Sequence, residues 1–290
     1  MDVNFYGANL IVRGMQMLEL PEAMVIARQI NESLYGKRII KVIAANHPHK
    51  FAWYFGDPNK YPDLLLNKTI GNAVNYGGLV EIKVGQVRML FGDGVNLRYY
   101  EKDKVLPKKH QLLIEFDDHS HLVATVQMYG GIWIFVDGQN DNPYYLVAKE
   151  KPSPLSDDFT EEYFTELINL CKDSLSLKAF LATEQRIPGL GNGVVQDILF
   201  NAQLHPKKKL KTLTPANKKA LYMSIKSTLN KMQLEGGRDT EHDLYGSLCS
   251  YRTILSKNTL GRPCLICKTI IKKETYLGGS IYFCAGCQKQ

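Results

Sequence analysis

The feature of this sequence that most constrains its fold is a pair of Cys-x2-Cys motifs close to the C-terminus. One is Cys264-Leu265-Ile266-Cys267 and the other is Cys284-Ala285-Gly286-Cys287, with sixteen residues between them. Each motif places two thiolates on one tight turn, and two such turns facing each other form the tetrahedral four-sulfur site that suits Zn²⁺. Because the protein fills all four positions, the motifs predict one structural zinc ion in a β-hairpin finger. Two disulfides or an accidental cluster are the alternatives.

Basic residues are concentrated in the C-terminal third of the chain. From Arg186 to the end there are 17 Lys and Arg against 6 Asp and Glu, a net charge of +11. The remaining 185 residues carry 19 basic against 23 acidic residues, a net charge of −4. Positive charge beside a zinc module favours a polyanionic partner such as nucleic acid. A solvated basic surface without a partner is the alternative.

Length and composition exclude several classes of protein. A chain of 290 residues with 44% hydrophobic content can bury one large core or two ordinary ones. No apolar run approaches the roughly 18 residues of a transmembrane helix, and residues 1–16 lack the pattern of a secretory signal. Cys171 and Cys249 lie apart from the paired motifs and are interpreted as core or incidental thiols. These features predict a cytoplasmic protein in a reducing compartment.

The pattern of hydrophobic residues changes at a polar segment with two prolines, residues 149–154. Before it, Pro21 and the apolar spacing predict a helix over 21–36. Turn signals, among them Gly85-Gln86, Gly92-Asp93-Gly94 and Asp117-Asp118, separate a series of short strands. The predicted strands are 38–45, 79–84, 87–91, 111–116, 121–126 and 132–136. One helix followed by six short strands predicts a β-sandwich or flattened barrel that carries a helix.

After residue 154 the period is helical. Helices are predicted at 159–171, at 176–181, from 192 to about 202, and from Thr214 to Gly236-Gly237. The turn Gly189-Leu190-Gly191-Asn192 enters one of them without a preceding strand, which excludes a dinucleotide-binding fold. Its backbone N–H groups either bind a DNA phosphate or form a plain corner between two helices, and the local sequence does not decide between them.

With these motifs in place, the chain resembles the formamidopyrimidine-DNA glycosylase/endonuclease VIII family of base-excision repair enzymes from about Leu18 to Gln288. The resemblance rests on five ordered motifs: Glu19-Leu20-Pro21-Glu22, Pro154-Leu155-Ser156-Asp157-Asp158-Phe159, Gly189-Leu190-Gly191-Asn192, Leu199-Phe200-Asn201-Ala202 with Leu204-His205-Pro206, and the zinc motif ending in Cys287-Gln288. It implies an α+β multidomain fold with an N-terminal β-sandwich and helix, a helical helix–two-turn–helix domain, and a C-terminal β-hairpin zinc finger.

The resemblance also implies domain boundaries and a partner. The expected segments are 1–16 as an extension or upstream start, 17–148 as the β-sandwich catalytic-type domain, 149–156 as a linker, 157–249 as the helix–two-turn–helix domain, and 250–290 as the zinc finger. The implied partner is damaged or abasic duplex DNA, held in the cleft between the two halves. The protein is expected to act as a monomer without a membrane, and to be nucleoid-associated when bound to DNA.

Family chemistry begins at the N-terminus, where a proline amine attacks C1′ of the damaged nucleotide and the adjacent glutamate serves as acid and base. The resemblance places Glu19 at that glutamate, Glu22 at a second carboxylate position and Leu18 at the nucleophile position. Leu18 has only an amide nitrogen if residues 1–16 are retained, and a start at Met17 would leave the amine one residue early. A helix-entry carboxylate is the alternative for Glu19.

The resemblance further implies the residues that contact DNA, and the chain departs from the family at several of them. Asn192, Gly191 and Gly189 occupy the phosphate-binding turn, and Tyr129 with Met128 occupies the loop that enters the duplex. The remaining positions are Lys50 in an exposed loop, Asn75 or Tyr76 in place of a family lysine, and Gly279 in place of the finger arginine.

Three hypotheses follow from the sequence. The first is an atypical DNA glycosylase, with possible AP lyase activity, in which Glu19 is the acid/base and either water or a free amine attacks. The second is a non-catalytic relative that binds damaged DNA. The third is an unrelated zinc-ribbon protein that acts on RNA or in transcription, and the five ordered motifs argue against it.

Overall fold

The computed structural model describes residues 18–289. The predicted extension 1–16, Met17 and Gln290 lie outside the described residues. Helix α1 spans Leu20–Ser33, begins with Pro21 in its first turn, and buries the face formed by Ala23, Ile26 and Ile30. Because that face is apolar at helical spacing, the helix packs on the strands that follow and becomes part of their core.

The N-terminal half then forms a seven-stranded sheet. Its strands are β1 Ile39–Ala44, β2 Ala52–Tyr54, β3 Ala73–Tyr76, β4 Leu79–Val84, β5 Val87–Tyr100, β6 Leu112–Phe116 and β7 His121–Val136, with the short helix α2 Tyr61–Leu65 between β2 and β3. The order is β1-β6-β7-β5-β4-β3, and β2 adds to β7 in parallel. All other pairings in this sheet are antiparallel.

Two strands are longer than the sequence predicts. The strand expected over 87–91 continues to Tyr100, and the strands expected over 121–126 and 132–136 are one strand, β7. Gly92 and Asp93, which were predicted to lie in a turn, pair instead with Gly131 and Gly130 of β7. A register shift between Asp93 and Val95 marks a β-bulge. A bulge bends its strand while the pairing continues on both sides. Strand β2 and helix α2 were not predicted because three and five residues are too short to show a period.

The helical half contains α3 Pro143–Glu150, α4 Glu161–Asn169, α5 Leu177–Ala182, α6 Asn192–Asn201 and α7 Pro215–Leu234. Helix α3 enters the segment 149–156 that the sequence assigns to the linker. The predicted start of α7 is confirmed in detail, because Thr214 and Asn217 form a capping box ahead of Pro215. The buried faces of α4–α7 form a second core, which includes Leu20 of α1. The first helix therefore belongs to both cores.

The C-terminal hairpin consists of β8 Lys272–Tyr276 and β9 Gly279–Phe283. Its small core contains Ile271 and Phe200 of α6, and the Gln288 side chain donates a hydrogen bond to the Leu204 carbonyl. Among residues 18–289, the model has no helix with the length and apolar content needed to cross a bilayer.

Candidate active site

The carboxylate of Glu19 joins the two halves of the molecule. Glu19 precedes α1, yet its Oε1 accepts a hydrogen bond from the Gly193 N–H and its Oε2 accepts one from the Val194 N–H, both at 2.8 Å. These groups are unpaired donors in the first turn of α6, where the helix dipole also favours a negative charge. Gly191 leaves the space for this contact, because a Cβ there would lie 2.5 Å from the carboxylate. Glu19 is only 5% exposed.

A buried arginine that the sequence did not predict links Glu19 to a second carboxylate. The Arg238 guanidinium is 3% exposed and contacts Glu22 through Nε at 2.9 Å and Nη2 at 2.8 Å. Its Nη1 lies 3.4 Å from Glu19 Oε1. The Arg238 backbone N–H also donates to Glu22 Oε1 at 3.0 Å. Glu22 is therefore held by a bidentate ion pair on the interior side of the site.

One guanidinium here faces three carboxylates. Burial alone would disfavour its charge, but Glu19 and Glu22 raise the pKa of Arg238 well above its ordinary value. Burial is also the main cause that raises the pKa of Glu19, with Arg238 opposing it. Glu241 is the most weakly paired, 4.0 Å from Arg238, and burial raises its pKa to about 8. Burial therefore favours the protonated form of Glu241, the carboxyl group that lies farthest from the Arg238 guanidinium.

Leu18, which the sequence analysis predicted to occupy the nucleophile position, uses its nitrogen for a backbone hydrogen bond. The Leu18 N–H donates to the Asp93 carbonyl at 3.0 Å. On the other side, a Cβ at Gly78 would lie 2.6 Å from the Leu18 carbonyl oxygen. Leu18 is thus held between the bulge of β5 and the start of β4. Asp93 itself was interpreted from sequence as part of a turn, and it enters the site because the bulge brings it to Leu18.

Tyr129 and Met128 lie in the middle of β7, next to the bulge. The Tyr129 ring packs against Trp53 of β2 with a centroid distance of 5.6 Å. Burial raises the pKa of Tyr129 to about 12, and the nearby carboxylates of Asp93 and Glu19 add to the effect. Lys50 is exposed in the loop before β2, and that loop is tied to β7 because Gly130 N–H donates to the Phe51 carbonyl at 3.0 Å.

The turn before α6 contacts the C-terminal hairpin. The Asn192 side chain donates to the Ser280 carbonyl at 2.9 Å. Lys178 of α5 is 4% exposed and donates to the Tyr276 carbonyl, and burial lowers its pKa to about 8. A Cβ at Gly279 would lie 3.3 Å from the Lys178 Nζ. The structure therefore brings a lysine close to the hairpin glycine that replaces the family arginine.

The two glycines of the predicted phosphate-binding turn have packing roles. Gly189 has a φ of +86°, and a Cβ there would lie 2.7 Å from the backbone of Gly77, which has a φ of +55°. Side chains are strained at such φ values, and neither position leaves room for one. Gly191 accommodates Glu19 as described above. The Asn192 side chain, in contrast, is exposed, and it donates a hydrogen bond to the Ser280 carbonyl of the hairpin.

The four cysteines of the paired motifs form one cluster. All four sulfur atoms lie within 4.8 Å of one another, with Cys267 and Cys284 at 3.3 Å and Cys264 and Cys287 at 3.8 Å. A tetrahedral ion with bonds of about 2.3 Å to sulfur requires sulfur atoms roughly 3.8 Å apart. Gly286 permits the second turn, because a Cβ there would lie 2.7 Å from the Cys267 sulfur. The cluster could therefore hold a metal ion.

A cleft of about 710 Å³ opens between strands β5 and β7 and the segment that follows α7. One wall is formed by β5 and β7, with Arg98, Thr125 and Gln127, and the other by the segment after α7, with Thr240 and Lys257. Burial lowers the pKa of Arg98. The cleft offers hydrogen-bond donors and acceptors from both halves of the molecule.

Comparisons with known proteins agree with this architecture. The family profile described as "Formamidopyrimidine-DNA glycosylase H2TH domain" matches residues 151–242. The formamidopyrimidine-DNA glycosylase of Lactococcus lactis subsp. lactis (strain IL1403) is 27% identical over 282 residues, covering 94% of this chain and 100% of the relative. The structure of Lactococcus lactis Fpg with DNA containing an abasic site has a TM-score of 0.81 and 25% identity, covering 94% of this chain and 100% of that chain.

A second Lactococcus lactis Fpg structure, in complex with DNA containing an oxidised pyrimidine, has a TM-score of 0.81 and 26% identity over the same shares of the two chains. The likeness extends over both cores and the hairpin finger, so the fold class predicted from the sequence is confirmed.

Proposed function

This chain belongs to the formamidopyrimidine-DNA glycosylase/endonuclease VIII family, and we propose that it is a DNA glycosylase that removes damaged bases from duplex DNA in base-excision repair. The relatives named above carry this activity in their names, and the solved neighbours hold abasic or oxidised DNA. The third sequence hypothesis, an unrelated zinc-ribbon protein, is thereby wrong. No observation in the structure favours the second, a non-catalytic relative.

The observation that carries the proposal is the placement of Glu19. A carboxylate that only capped a helix could remain in solvent, yet this one is buried where both halves of the molecule meet, between the start of α1 and the start of α6. Burial raises the pKa of Glu19 above its ordinary value, which favours the protonated form that a proton donor requires. We assign Glu19 the role of proton donor to the departing base, and Glu22 the role of holding Arg238.

DNA would lie across the cleft between the halves. The basic C-terminal third supplies the charge for phosphate contacts. Asn192 lies at the start of α6, where phosphate binding is favoured, and Lys178 of α5 lies near the same hairpin glycine, Gly279. Extrusion of a damaged base would leave a gap in the base stack. We expect Tyr129 and Met128 of β7 to occupy that gap, and Lys50 lies in the loop that is hydrogen bonded to β7.

The cysteine cluster would hold one structural Zn²⁺. Thiolate sulfur is a preferred zinc ligand, and four protein ligands leave no position for a reacting water. The finger has a core of few residues, so metal binding would supply much of its folding free energy. Zinc would therefore act on DNA binding indirectly, by fixing the hairpin that contacts Asn192.

Attack at C1′ would come from water. A Schiff base requires a neutral amine, whereas the Leu18 nitrogen is an amide when Met17 precedes it, and its N–H is engaged with the Asp93 carbonyl. The proposed activity is consequently base release by hydrolysis, without the covalent intermediate that leads to strand cleavage.

The test uses duplex DNA with one formamidopyrimidine or one oxidised pyrimidine, and two proteins that begin at Met1 and at Met17. We expect base release by the Met1 form, revealed by alkali cleavage at the abasic site, and no covalent adduct on borohydride treatment. Glu19→Gln should reduce base release by about 100-fold or more, while Glu32→Gln, an exposed carboxylate on α1, should leave it unchanged. Tight DNA binding without release of either lesion would contradict the proposed activity.

A further inference from the structure

We propose that Glu241 is the general base of this reaction, and that its carboxylate accepts the proton of the water that attacks C1′. The inference rests on the proposed glycosylase function and adds a catalytic residue to it. Three observations carry it: a small cavity lined by Leu18 and Glu241, the connection of that cavity to the cleft, and the contacts that locate the Glu241 carboxylate relative to Glu19.

The cavity has a volume of about 10 Å³ and lies beside the residue at the predicted nucleophile position. Leu18, Glu22 and Glu241 form part of its wall. A space of roughly 10–15 Å³ with polar walls is enough for one water molecule. The Leu18 N–H is engaged with the Asp93 carbonyl. A water in this cavity would therefore supply the nucleophile that Leu18 itself cannot provide.

The cavity adjoins the cleft in which the DNA would lie. Asn96 and Arg98 of β5, with His242 in the segment after α7, line both spaces. All three residues carry polar side chains, which a bound water requires as partners. A nucleotide that enters the cleft therefore approaches the cavity at this shared wall.

The contacts of Arg238 locate the Glu241 carboxylate relative to the proposed proton donor. Glu241 Oε1 lies 4.0 Å from Arg238 Nη2, and Glu22 Oε2 lies 2.8 Å from the same nitrogen. The other terminal nitrogen, Nη1, lies 3.4 Å from Glu19 Oε1. The backbone N–H and carbonyl of Glu241 pair with the Arg238 carbonyl and the Cys249 N–H, so its side chain is the part left to line the cavity. One guanidinium thus lies between the proposed acid and the proposed base.

The surroundings of Glu241 suit a base that works near neutral pH. Burial raises the pKa of Glu241 to about 8, Arg238 opposes the rise, and the two neighbouring glutamates add to it. The titratable groups that face Glu241 from the start of α1, from β5 and from the segment after α7 are Glu19, Glu22, Arg98, Arg238, His242 and Cys249. A base is most effective when its pKa lies close to the working pH, so the ionised fraction of Glu241 is able to take a proton from water.

The proposed step is a hydrolysis. The water oxygen forms a bond to C1′, and the proton that it releases passes to the Glu241 carboxylate. The bond between C1′ and the base nitrogen breaks, and its electron pair leaves with the base, which takes a proton from Glu19. Glu241 then gives its proton to solvent, and Glu19 regains one from solvent. The products are the free base and an abasic sugar with a hydroxyl at C1′, and no oxidant or reductant is consumed.

The test compares Glu241→Gln with Glu235→Gln. Glutamine has the shape of a protonated glutamate but cannot take up the proton, and Glu235 is an exposed glutamate at the end of α7 that serves as the control. Single-turnover base release from duplexes with one formamidopyrimidine or one oxidised pyrimidine, with the protein at saturation, should fall by about 100-fold or more in Glu241→Gln. Affinity for duplex DNA with a tetrahydrofuran abasic analogue should not fall, and Glu235→Gln should behave like the wild type.

The pH profile and the stability distinguish a base from a structural residue. The wild-type rate should rise as the pH passes through about 8, because the ionised carboxylate is the active form, and this limb should be missing from the residual rate of Glu241→Gln. A carboxyl group with a raised folded pKa lowers the stability of the folded state as the pH rises toward that value. The melting temperature of Glu241→Gln at pH 8 should therefore be no lower than that of the wild type.

Several results would overturn the inference and leave the glycosylase function intact. One is undiminished base release by Glu241→Gln, and another is a wild-type rate that stays constant between pH 7 and pH 9. A loss of base release together with a lower melting temperature at pH 8 would indicate a structural role. A strong borohydride adduct with the wild type would mean attack by an amine and not by water. Absence of base release by the wild type itself would overturn the glycosylase function, and this inference with it.

Discussion

Replacing Arg238 by methionine removes the only cation described within the Glu19, Glu22 and Glu241 cluster. Methionine fills a similar buried volume and keeps the backbone N–H that donates to Glu22. The two side-chain hydrogen bonds to Glu22 and the contact with Glu19 are lost. Removing one partner of a buried ion pair costs about 3–5 kcal/mol, because it leaves buried charge uncompensated. We expect a loss of this size in the free energy of unfolding at pH 8.

The loss should be smaller at pH 5. Burial already raises the folded-state pKa values of Glu19 and Glu241, and Arg238 opposes that rise, so both values should increase further in its absence. A carboxyl group with a raised folded pKa keeps its proton in the folded state at a pH where the unfolded state has released it, so stability falls as the pH rises through this window. The buried groups protonate near pH 5 and no longer require a counter-charge, which restores part of the loss.

Urea unfolding at pH 5 and pH 8 measures this difference, and thermal melting should show a decrease of about 10 °C at pH 8. Arg252→Met is the control, because Arg252 is exposed and its replacement should change stability by less than about 0.5 kcal/mol. A loss below about 1 kcal/mol at pH 8 for Arg238→Met, or an equal loss at both pH values, would refute the electrostatic explanation of the cluster.

Three further predictions concern the metal, the phosphate contact and the helix cap. Purified protein should contain one zinc per chain, and Cys267→Ser should lose it together with most DNA affinity, whereas Cys171→Ser should keep both, as measured by metal analysis and duplex binding. Burial lowers the pKa of Lys178 to about 8, so DNA affinity should weaken as the pH rises from 7 to 9 and the ammonium loses its charge. Lys178→Met should remove this pH dependence and reduce the salt slope of log K by about 0.9. A pH-independent affinity of the wild type would contradict the assignment. Gly191→Ala should destabilise the protein by about 1–3 kcal/mol and slow base release, because the added Cβ would lie 2.5 Å from the Glu19 carboxylate. The backbone does not cause this effect, since the Gly191 φ of −106° suits any residue. Calorimetry and single-turnover kinetics would show whether both effects occur together.

Patterns that are local in sequence predicted much of this fold. The cysteine spacing predicted the cluster of four sulfurs, and Thr214-Pro215 predicted the start of α7, since both depend on neighbouring residues. The family motifs placed Glu19 at the site. The arrangement that holds Glu19 in place was not predicted, because Arg238 is separated from Glu22 by 216 positions. An arginine after two glycines has the appearance of a solvated loop residue.

Asp93 was missed for a related reason. An aspartate between two glycines is typical of a turn between strands, and the sequence does not reveal that the strand continues past it as a bulge. Only the pairing of β5 with β7 over both sides of the bulge shows this. The sequence was therefore most informative about short-range geometry and least informative about desolvated charge, which depends on residues brought together by the fold.

The cap that Glu19 places on α6 has a consequence for biosynthesis. Glu19 is among the first residues of the described chain to leave the ribosome, whereas the N–H groups that hold it follow 174 and 175 positions later. At about 5–20 residues per second, roughly 10–40 s separate the two events. During that interval the Glu19 carboxylate lacks both the helix and Arg238. If Glu19 is the acid that we propose, a nascent chain cannot release bases from DNA until synthesis has passed Arg238.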